Sequence, residues 1–398
     1  MAGVVRIGVA ERRARLGRRH RLAAGAQAVD PLEVASSLVA LHGSDPSTVY
    51  LSSLARMDGS DVAAVERALY EDRTLLRLLC MRRTVFVIPT ELAPAVLAAS
   101  ARTVAAQQRR LLHGMLAENG VTADVESWLA EVERVALDAL AELGEATANE
   151  IGAADPRLRA ELVLARGKNY EGRQRVVSRV LLVLAAQGLI VRGRPLGGWT
   201  STQFRWSVTD RWRPGGIPEM STVDAEAELA RHWLGAFGPA TVDDLRWWTG
   251  WTATQTKRAL GRLDPVEVDL DGAPGIVLPD DLEPVSGRPA EPWVALLPAL
   301  DPTPMGWQRR EFYLGEHAGR LFDTTGNVSP TVWLDGRVVG GWAQRKDGEV
   351  AFRLLEDVGS DAVTAIKRSA AALAERLGDV RLTARARRPS PVERELLA

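Results

Sequence analysis

One stretch of the sequence, residues 144–213, constrains the fold more than any other. Thr147 followed three residues later by Glu150 has the spacing of a capping box, which starts a short helix. An apolar-periodic segment, 174–188, predicts a second helix that ends at a glycine. Residues 189–208 then predict a β-hairpin with an arginine-rich tip. A short helix, a second helix and a basic hairpin, in this order, predict a winged helix.

Two other parts of the chain repeat elements of this pattern. Residues 224–278 contain Thr241 as a predicted helix cap, a segment 252–263 in the position of a recognition helix, and Asp271-Gly272, a strong hairpin-turn signal. The wing of this third copy is acidic, so we expect it to serve packing rather than phosphate contact. The N-terminal region is predicted to hold three helices and one strand, at residues 31–41, 46–56, 61–70 and 84–88.

The predicted fold class is therefore α+β, with three tandem winged helices and a β-rich C-terminal part. The chain has 398 residues, which is too long for one ordinary domain. Strands are expected at 293–297, 331–333, 337–343 and 350–355, and a last helix at 361–377. The predicted segments are 1–95 (first winged helix), 96–143 (helical connector), 144–220 (second winged helix), 221–285 (third winged helix) and 286–398 (C-terminal α+β region).

The charge distribution says more than the net charge, which is only −1. The 50 basic residues are mostly arginine and gather in segments such as 166–175 and 192–213. Arginine clusters on a nearly neutral protein create local contacts for phosphate groups. The other interpretation is an arginine-rich composition inherited from a high-GC genome.

Composition also excludes several classes of protein. With 46% hydrophobic and 25% charged residues, the chain is typical of a globular protein, with no sign of a membrane span or a secretory signal, so we expect a cytoplasmic location. The single cysteine, Cys80, rules out an internal disulfide framework, and five scattered histidines do not predict a zinc site. A metal-dependent nuclease is disfavoured as well, since no carboxylate cluster stands beside the basic segments.

The loop around residues 42–44 is the first candidate for chemistry. Asp45 precedes Pro46 and is therefore disfavoured in the α conformation, which forces a break after a helix that ends near Leu41. Asp45 as N-cap and Pro46 at the first helical position would start the next helix. In an extended connection, His42 and Ser44 point the same way and could meet at one site. Alternatively, His42 caps the preceding helix, and Ser44 or Asp45 caps the next one.

Several short motifs share their order with a known family. They are Leu41-His-Gly-Ser-Asp-Pro, Tyr50-Leu, Ala55-Arg56, Leu75-Leu-Arg77, Met81-Arg-Arg-Thr-Val-Phe-Val, Leu296-Leu-Pro298, Asp301-Pro, and Asp335-Gly-Arg-Val-Val-Gly-Gly-Trp342. In these motifs the chain resembles the bacterial AlkZ-like winged-helix DNA glycosylases, whose relatives include the YcaQ-type enzymes. The resemblance implies a C-shaped set of three winged helices and excision of N7-alkylated purines without a cofactor.

The resemblance also implies which residues are catalytic. The best-known family motif has two glutamines separated by one residue, in the loop where this chain has His42-Gly43-Ser44. We therefore carry the catalytic roles onto His42 and Ser44. A histidine-x-serine version resembles a subgroup associated with bulky intercalating adducts. No lysine in the loop could form a Schiff base, so a monofunctional glycosylase without lyase activity is expected.

The chemistry suits these residue types. Alkylation at N7 gives the purine a positive charge, so the base leaves as a neutral molecule and needs no general acid. What remains is to stabilise an oxocarbenium-like sugar and to position a water, as glycosidases do. An imidazole titrates near pH 6.5, so His42 could accept the proton of that water, which Ser44 would hold by a hydrogen bond.

Binding to double-stranded DNA is expected to use the basic segments. The candidate contacts are Arg82, Arg83 and Thr84 before the predicted strand 84–88, Lys168, Arg173 and Arg175 at the start of the second unit's recognition helix, and Arg192, Arg194, Trp199, Arg205 and Trp206 in the hairpin. For Trp199 and Trp206 the alternative is ordinary packing within the hairpin. Trp247, Trp248 and Trp251 are better explained by core packing than by base stacking.

Two functions from different classes follow. The first is a glycosylase that excises bulky N7-alkylated purines in base excision repair or in self-resistance to a DNA-alkylating antibiotic. The second is a noncatalytic winged-helix DNA-binding protein or transcriptional regulator, which would gain support from a His42 buried as a helix cap. Three DNA-binding units in one chain lessen the need for a partner subunit, so a monomer is expected, with no membrane contact.

Overall fold

The computed structural model describes residues 4–59, 61–169, 171–284, 292–383 and 388–398. By contact density the chain divides into two compact units. The first unit is assembled from Met1–Leu75, Val87–Pro89 and Glu226–Ala398, and the second from Leu76–Phe86 and Thr90–Ala225. The predicted division into five segments and the C-shaped arrangement stay predictions. The predicted boundary at 285/286 lies outside the described residues.

The N-terminal region contains more strand than its sequence predicts. Its helix after Pro31 ends at Ser37, earlier than the expected Leu41, and the apolar run before Met81 is a strand that the sequence analysis did not predict. The elements are β1 (Val5–Arg6), α1 (Val9–Arg19), α2 (Pro31–Ser37), β2 (Leu41–His42), α3 (Pro46–Leu54), α4 (Val62–Glu66), β3 (Leu75–Cys80) and β4 (Thr84–Pro89). Strands β2, β4 and β3 form a sheet in that order. Cys80 is fully buried.

The second region contains the best-predicted elements. Thr147 and Glu150 form the predicted capping box, which starts a short helix. The following apolar helix begins at Val176, because residues 172–175 are a strand instead of its first turn. The elements are α5 (Ala93–Val96), α6 (Arg102–Glu118), α7 (Val125–Leu143), β5 (Glu145–Thr147), α8 (Ala148–Gly152), α9 (Pro156–Arg159), β6 (Glu161–Leu164), β7 (Gly172–Arg175), α10 (Val176–Ala186), β8 (Ile190–Pro195), β9 (Phe204–Val208) and α11 (Thr209–Trp212).

The apolar face of α10 is at the centre of the second unit. Val180 and Leu184 are buried there, together with Leu129 and Val132 of α7. Strands β5, β9 and β8 form a sheet in that order, so the hairpin β8–β9 extends from the same core. A second hairpin, β6–β7, precedes α10.

The last region confirms most of the predicted strands. Thr241 caps its helix through a capping box with Asp244, and Asp271-Gly272 forms the predicted turn. The elements are α12 (Thr222–Phe237), α13 (Val242–Thr249), α14 (Ala253–Leu260), β10 (Val266–Leu270), β11 (Ala273–Val277), β12 (Val294–Leu297), α15 (Glu311–Leu314), α16 (Ala318–Leu321), β13 (Thr331–Leu334), β14 (Arg337–Gln344), β15 (Val350–Leu354), α17 (Ser360–Leu377) and α18 (Pro391–Leu397).

Two sheets organise this region. Strands β12, β13, β14 and β15 form an antiparallel sheet in sequence order. In the other sheet, β10 lies between β11 and the N-terminal strand β1, and β1 pairs with it in parallel, with Val5 opposite Val268. Trp248 and Trp251 are buried, as core packing requires. Among the helices of the described ranges, none has both the length and the apolar character needed to cross a bilayer.

Candidate functional site

The loop that carries His42 begins with a strained turn. Val39 has a φ of 63°, and the amide of Ala40 donates a 2.6 Å hydrogen bond to the carbonyl of Leu38. This is a γ-turn of the rarer, positive-φ kind. A β-branched residue in this conformation is a true outlier, and such outliers concentrate at functional sites. Val39 is only 1% exposed, so surrounding packing holds the turn in place.

The other end of the loop is fixed by a helix cap. The carboxylate of Asp45 accepts hydrogen bonds from the amide of Ser47 at 3.1 Å and from its hydroxyl at 2.7 Å, and Pro46 is the first residue of α3. Both features were predicted from the sequence and are confirmed. Thr48, in the first turn of α3, also donates a 2.8 Å hydrogen bond to the carbonyl of Ala299. The loop therefore lies between two well-defined anchors.

Within the loop, the two predicted catalytic residues differ in solvent access. His42 is the second residue of β2 and is 7% exposed, whereas Ser44 is exposed. His42 therefore lies on a strand, and the residue that ends α2 is Leu38. Of the capping alternative, the part that concerns Asp45 is confirmed, because Asp45 caps α3, and the part that concerns His42 stays a prediction.

Behind α3 lies a fully buried ion pair. Arg56 donates hydrogen bonds of 2.8 and 2.7 Å to the two carboxylate oxygens of Asp301, and neither side chain is exposed. Ser52, on α3, donates to the same carboxylate at 2.6 Å. Both members of the pair belong to motifs of the family resemblance. Their role here is to fix the end of α3 against the loop that follows β12.

A buried histidine extends the same network. Nδ1 of His20 lies 2.8 Å from the hydroxyl of Thr303, which accepts a hydrogen bond from Arg56. Burial, together with the smaller effect of the charge of Arg56, lowers the pKa of His20 to about 3. His20 is therefore neutral at physiological pH and acts as a structural residue.

A cavity of about 340 Å³ adjoins the start of α3. Its lining includes Asp45, Ser47 and Glu393, but neither His42 nor Ser44 is among the described residues that line it. The cavity is therefore separate from the predicted catalytic pair. Among the described residues, no group of three histidine, cysteine, aspartate or glutamate side chains is placed to hold a metal ion.

Arg82 and Arg83 occupy the tip of the hairpin β3–β4. Both have left-handed backbone conformations, with φ of 53° and 58°, and the amide of Thr84 donates to the carbonyl of Met81. Positive φ at both central positions defines a type I′ turn, in which asparagine and glycine are usual. The turn connects two strands and not a helix and a strand, because residues 75–80 are extended. Its two arginines adopt an unfavourable conformation, which indicates a role other than turn formation.

The second predicted group lies beside the hairpin β6–β7. Lys168 is exposed in its turn, and Arg173 is exposed on β7, where it forms a 3.1 Å ion pair with Glu161. Arg175 is the N-cap residue of α10 and donates a 3.2 Å hydrogen bond to Asn149. The expected position at the start of the helix is therefore correct for Arg175 and wrong for Lys168 and Arg173.

The third group lies on the hairpin β8–β9. Arg194 is exposed, Trp199 is half-buried in the turn, and Arg205 donates a 3.2 Å hydrogen bond to the carbonyl of Glu145. Trp206 is 8% exposed and packs in the core of the second unit, as the packing alternative requires. Arg192 lies over its ring, with the guanidinium carbon 5.1 Å from the ring centroid.

Sequence reasoning missed one residue of this region. Arg77, in the middle of β3, is 4% exposed, and none of its three guanidinium nitrogens has a hydrogen-bond partner among the described residues. The sequence feature that could have identified Arg77 is a single charged residue inside the apolar run Leu75-Leu-Arg-Leu-Leu-Cys80. All of the predicted DNA-binding residues belong to the second unit together with Arg77, whereas His42 and Ser44 belong to the first.

The sequence of the chain matches the family model described as DNA glycosylase AlkZ-like over residues 35–376. The match extends over most of the chain. The chain belongs to the AlkZ-like DNA glycosylase family. The predicted family resemblance is thereby confirmed, and with it the class of protein, the DNA glycosylases.

A sequence match and a structural match, both from Streptomyces sahachiroi, are similar to this member of the family. One, described as an interstrand DNA cross-link repair glycosylase, is 29% identical over 178 residues, which make up 43% of this chain and 47% of that protein. The chain thus spans about half the length of this curated relative. The other is the solved structure of the DNA glycosylase AlkZ, with a TM-score of 0.71, 21% identity, and coverage of 96% of this chain and 100% of that one. This second likeness shows a shared fold.

Proposed function

We propose that this chain hydrolyses the N-glycosidic bond of bulky N7-alkylated purines in double-stranded DNA, with His42 and Ser44 as its catalytic residues. The observation that carries the proposal is the construction of their loop within a member of the AlkZ-like family. A strained γ-turn at Val39 precedes it and the Asp45 cap follows it. A loop fixed at both ends supports catalysis, because reacting groups must be held in position before the substrate binds.

Each residue has a definite task in this reaction. His42 accepts a proton from the attacking water, and Ser44, which is exposed, holds that water by a hydrogen bond. The water oxygen forms a bond to C1′ of the sugar as the bond from C1′ to the purine nitrogen breaks. The electron pair of that bond goes to the purine, which is cationic before cleavage and neutral after it. The low exposure of His42 keeps bulk water away from the proton acceptor.

DNA binding is assigned to the hairpins of the second unit. The sequence of elements α7, β5, α8, α10, β8 and β9, with the sheet order β5-β9-β8, supports a winged helix in which α10 is the recognition helix. The strained Arg82-Arg83 turn presents two guanidinium groups at a hairpin tip, a suitable arrangement for phosphate contacts. We extend the proposal to three tandem winged helices, a C-shaped monomer, a cytoplasmic location and the absence of a cofactor.

The test is release of a modified base from an oligonucleotide that carries one bulky N7-guanine adduct. The His42→Ala variant is expected to lose about 100- to 10,000-fold in single-turnover rate, the usual contribution of a general base. Ser44→Ala should lose less, because a backbone group or a second water can partly replace a hydroxyl. The matched controls are His113→Ala and Ser36→Ala, since both side chains are exposed on helices and neither has a role in the proposed reaction.

A noncatalytic DNA-binding protein is the second candidate, and a His42 buried as a helix cap would support it. Native protein that binds the adducted duplex but releases no base from several adduct types would support this candidate and overturn the first. Equal release by native protein and a folded His42→Ala variant would keep a glycosylase but remove His42 from its mechanism. DNA binding by each variant is measured alongside, so that loss of rate is not mistaken for loss of binding.

A further inference from the structure

Two arginines in the second unit lie over the same aromatic ring and have no acidic partner among the described residues. The guanidinium carbon of Arg77, on β3, lies 5.1 Å from the centroid of the Phe204 ring, and that of Arg192, on β8, lies 5.4 Å from the same centroid. Phe204 itself is 8% exposed. In the described part of the chain, neither guanidinium has a carboxylate or any other hydrogen-bond acceptor within bonding distance.

This arrangement is costly for the protein alone. A guanidinium has five N–H donors, and a buried charge without partners loses its hydration without compensation. Contact of a guanidinium with the face of an aromatic ring compensates for only part of the lost hydration free energy. Placing a second positive charge beside the first adds repulsion. Burial, together with the smaller effect of the charge of Arg77, lowers the pKa of Arg192 to about 10, which shows the same unfavourable environment.

The missing partner must be an anion that matches guanidinium geometry. Phosphate and carboxylate both accept the paired hydrogen bonds that arginine offers. Arg192 is only half-buried, so the site is open to solvent at Arg192, whereas the guanidinium nitrogens of Arg77 are buried. An open site suits an anion that remains attached to a larger molecule outside. Arg192 also lies on the hairpin that carries Arg194 and Arg205, so that molecule meets further positive charge.

We propose that Arg77 and Arg192 together hold one backbone phosphate of bound DNA beside the Phe204 ring. The proposal rests on the proposed function, because it assumes that DNA is the bound polymer. It assigns Arg77, which the sequence analysis did not select, to the DNA interface. It also explains a buried charge that the folded protein does not neutralise with its own residues.

The proposal makes a quantitative prediction about salt. The affinity of the full chain for an undamaged 20-base-pair duplex is measured by fluorescence anisotropy over a series of KCl concentrations. Each phosphate contact contributes about 0.9 to the slope of log affinity against log salt. Arg77→Met and Arg192→Met should each reduce the magnitude of this slope by about 0.9. At 0.1 M KCl, that change corresponds to a roughly eightfold loss of affinity for the duplex. Because both residues bind the same phosphate, the slope of the double variant should also be smaller by about 0.9, and not by twice that amount.

The same variants have an opposite effect on the protein without DNA. Methionine has nearly the length of arginine but no charge, so Arg77→Met should raise the urea midpoint of unfolding. A merely structural arginine would lower that midpoint when replaced and leave the salt slope unchanged. The matched control is Arg134→Met, since Arg134 is exposed on α7 and paired with Asp138 at 2.9 Å, and it should alter neither quantity.

The outcomes separate this inference from the proposed function. If the native chain forms no complex with DNA, both fail. If the native chain binds DNA and releases the modified base, but Arg77→Met and Arg192→Met keep the native salt slope, only this inference is overturned. If inorganic phosphate raises the urea midpoint of the native chain but not of Arg77→Met, and the DNA slopes are unchanged, the site binds a free anion and the assignment to DNA is wrong.

Discussion

The γ-turn at Val39 predicts an unusual order of stability among its variants. Val39 is 1% exposed and has a φ of 63°. Val39→Ala removes two buried carbon atoms, which costs about 2 kcal/mol when the cavity is included. It leaves the positive φ in place, because alanine is hardly more tolerant of that conformation than valine.

Val39→Gly removes one more carbon but also the strain. A left-handed conformation costs a non-glycine residue about 1–2 kcal/mol, and the extra freedom of glycine in the unfolded chain costs about 0.5–1 kcal/mol. With about 0.8 kcal/mol for the lost buried methyl group included, the step from alanine to glycine at this position should therefore be nearly neutral, within about 1 kcal/mol of zero. At an ordinary helical position the same step costs about 1 kcal/mol.

Urea unfolding of three variants tests this reasoning. Val39→Ala and Val39→Gly are compared with each other, and Ala63→Gly, at an exposed position in α4, serves as the control for an ordinary alanine-to-glycine step. We expect the change in the free energy of unfolding for the alanine-to-glycine step to have opposite signs at positions 39 and 63, or at least to differ by about 1 kcal/mol. If Val39→Gly is less stable than Val39→Ala by the amount found at Ala63, the turn is not strained and the argument for a preorganised loop loses its basis.

Two further predictions concern the buried network behind α3. The pKa of His20 is about 3 in the folded protein and near 6.5 in the unfolded chain. Between these two pH values His20 is protonated only in the unfolded chain, so the free energy of unfolding falls as the pH falls. Between pH 7 and pH 5 the free energy of unfolding of the native chain should fall by about 2 kcal/mol because of His20. In the His20→Gln variant this fall should be smaller by the same amount. The same pH dependence in native chain and variant would contradict the prediction. Arg56→Met leaves Asp301 as an unpaired buried charge and should lower the free energy of unfolding by about 3–5 kcal/mol. A second replacement, Asp301→Leu, should restore much of this free energy, because it removes the unpaired charge. Strictly additive losses in this double-mutant cycle would show that the pair is not coupled.

The elements that the sequence predicts correctly depend on neighbours a few positions apart. The capping boxes at Thr147 and Thr241 and the Asp45-Pro46 helix start are local hydrogen-bond patterns, so the residue types alone determine them. The Asp271-Gly272 turn is equally local. For the candidate site, this local information predicts where the loop ends and where α3 begins.

The remaining features depend on tertiary packing and leave no local signal. Valine has no preference for positive φ, so the turn at Val39 could not be expected, and α2 was predicted four residues too long. Strand β3 is an apolar run interrupted only by Arg77, a pattern that strands and buried helices share. The arginines of the β3–β4 turn stand where asparagine and glycine are usual.

The discontinuity of the first unit has a consequence for biosynthesis. Arg56 and Asp301 are separated by 245 positions in the sequence, and β1 finds its partner β10 only after the whole second unit has been made. At about 5–20 residues per second, a ribosome needs roughly 10–50 s to cover that interval. During this time the nascent N-terminal segment waits without its carboxylate partner, while the second unit, nearly continuous in sequence, can already fold. The segment that carries the candidate catalytic loop is thus translated before the second unit and completed only after it.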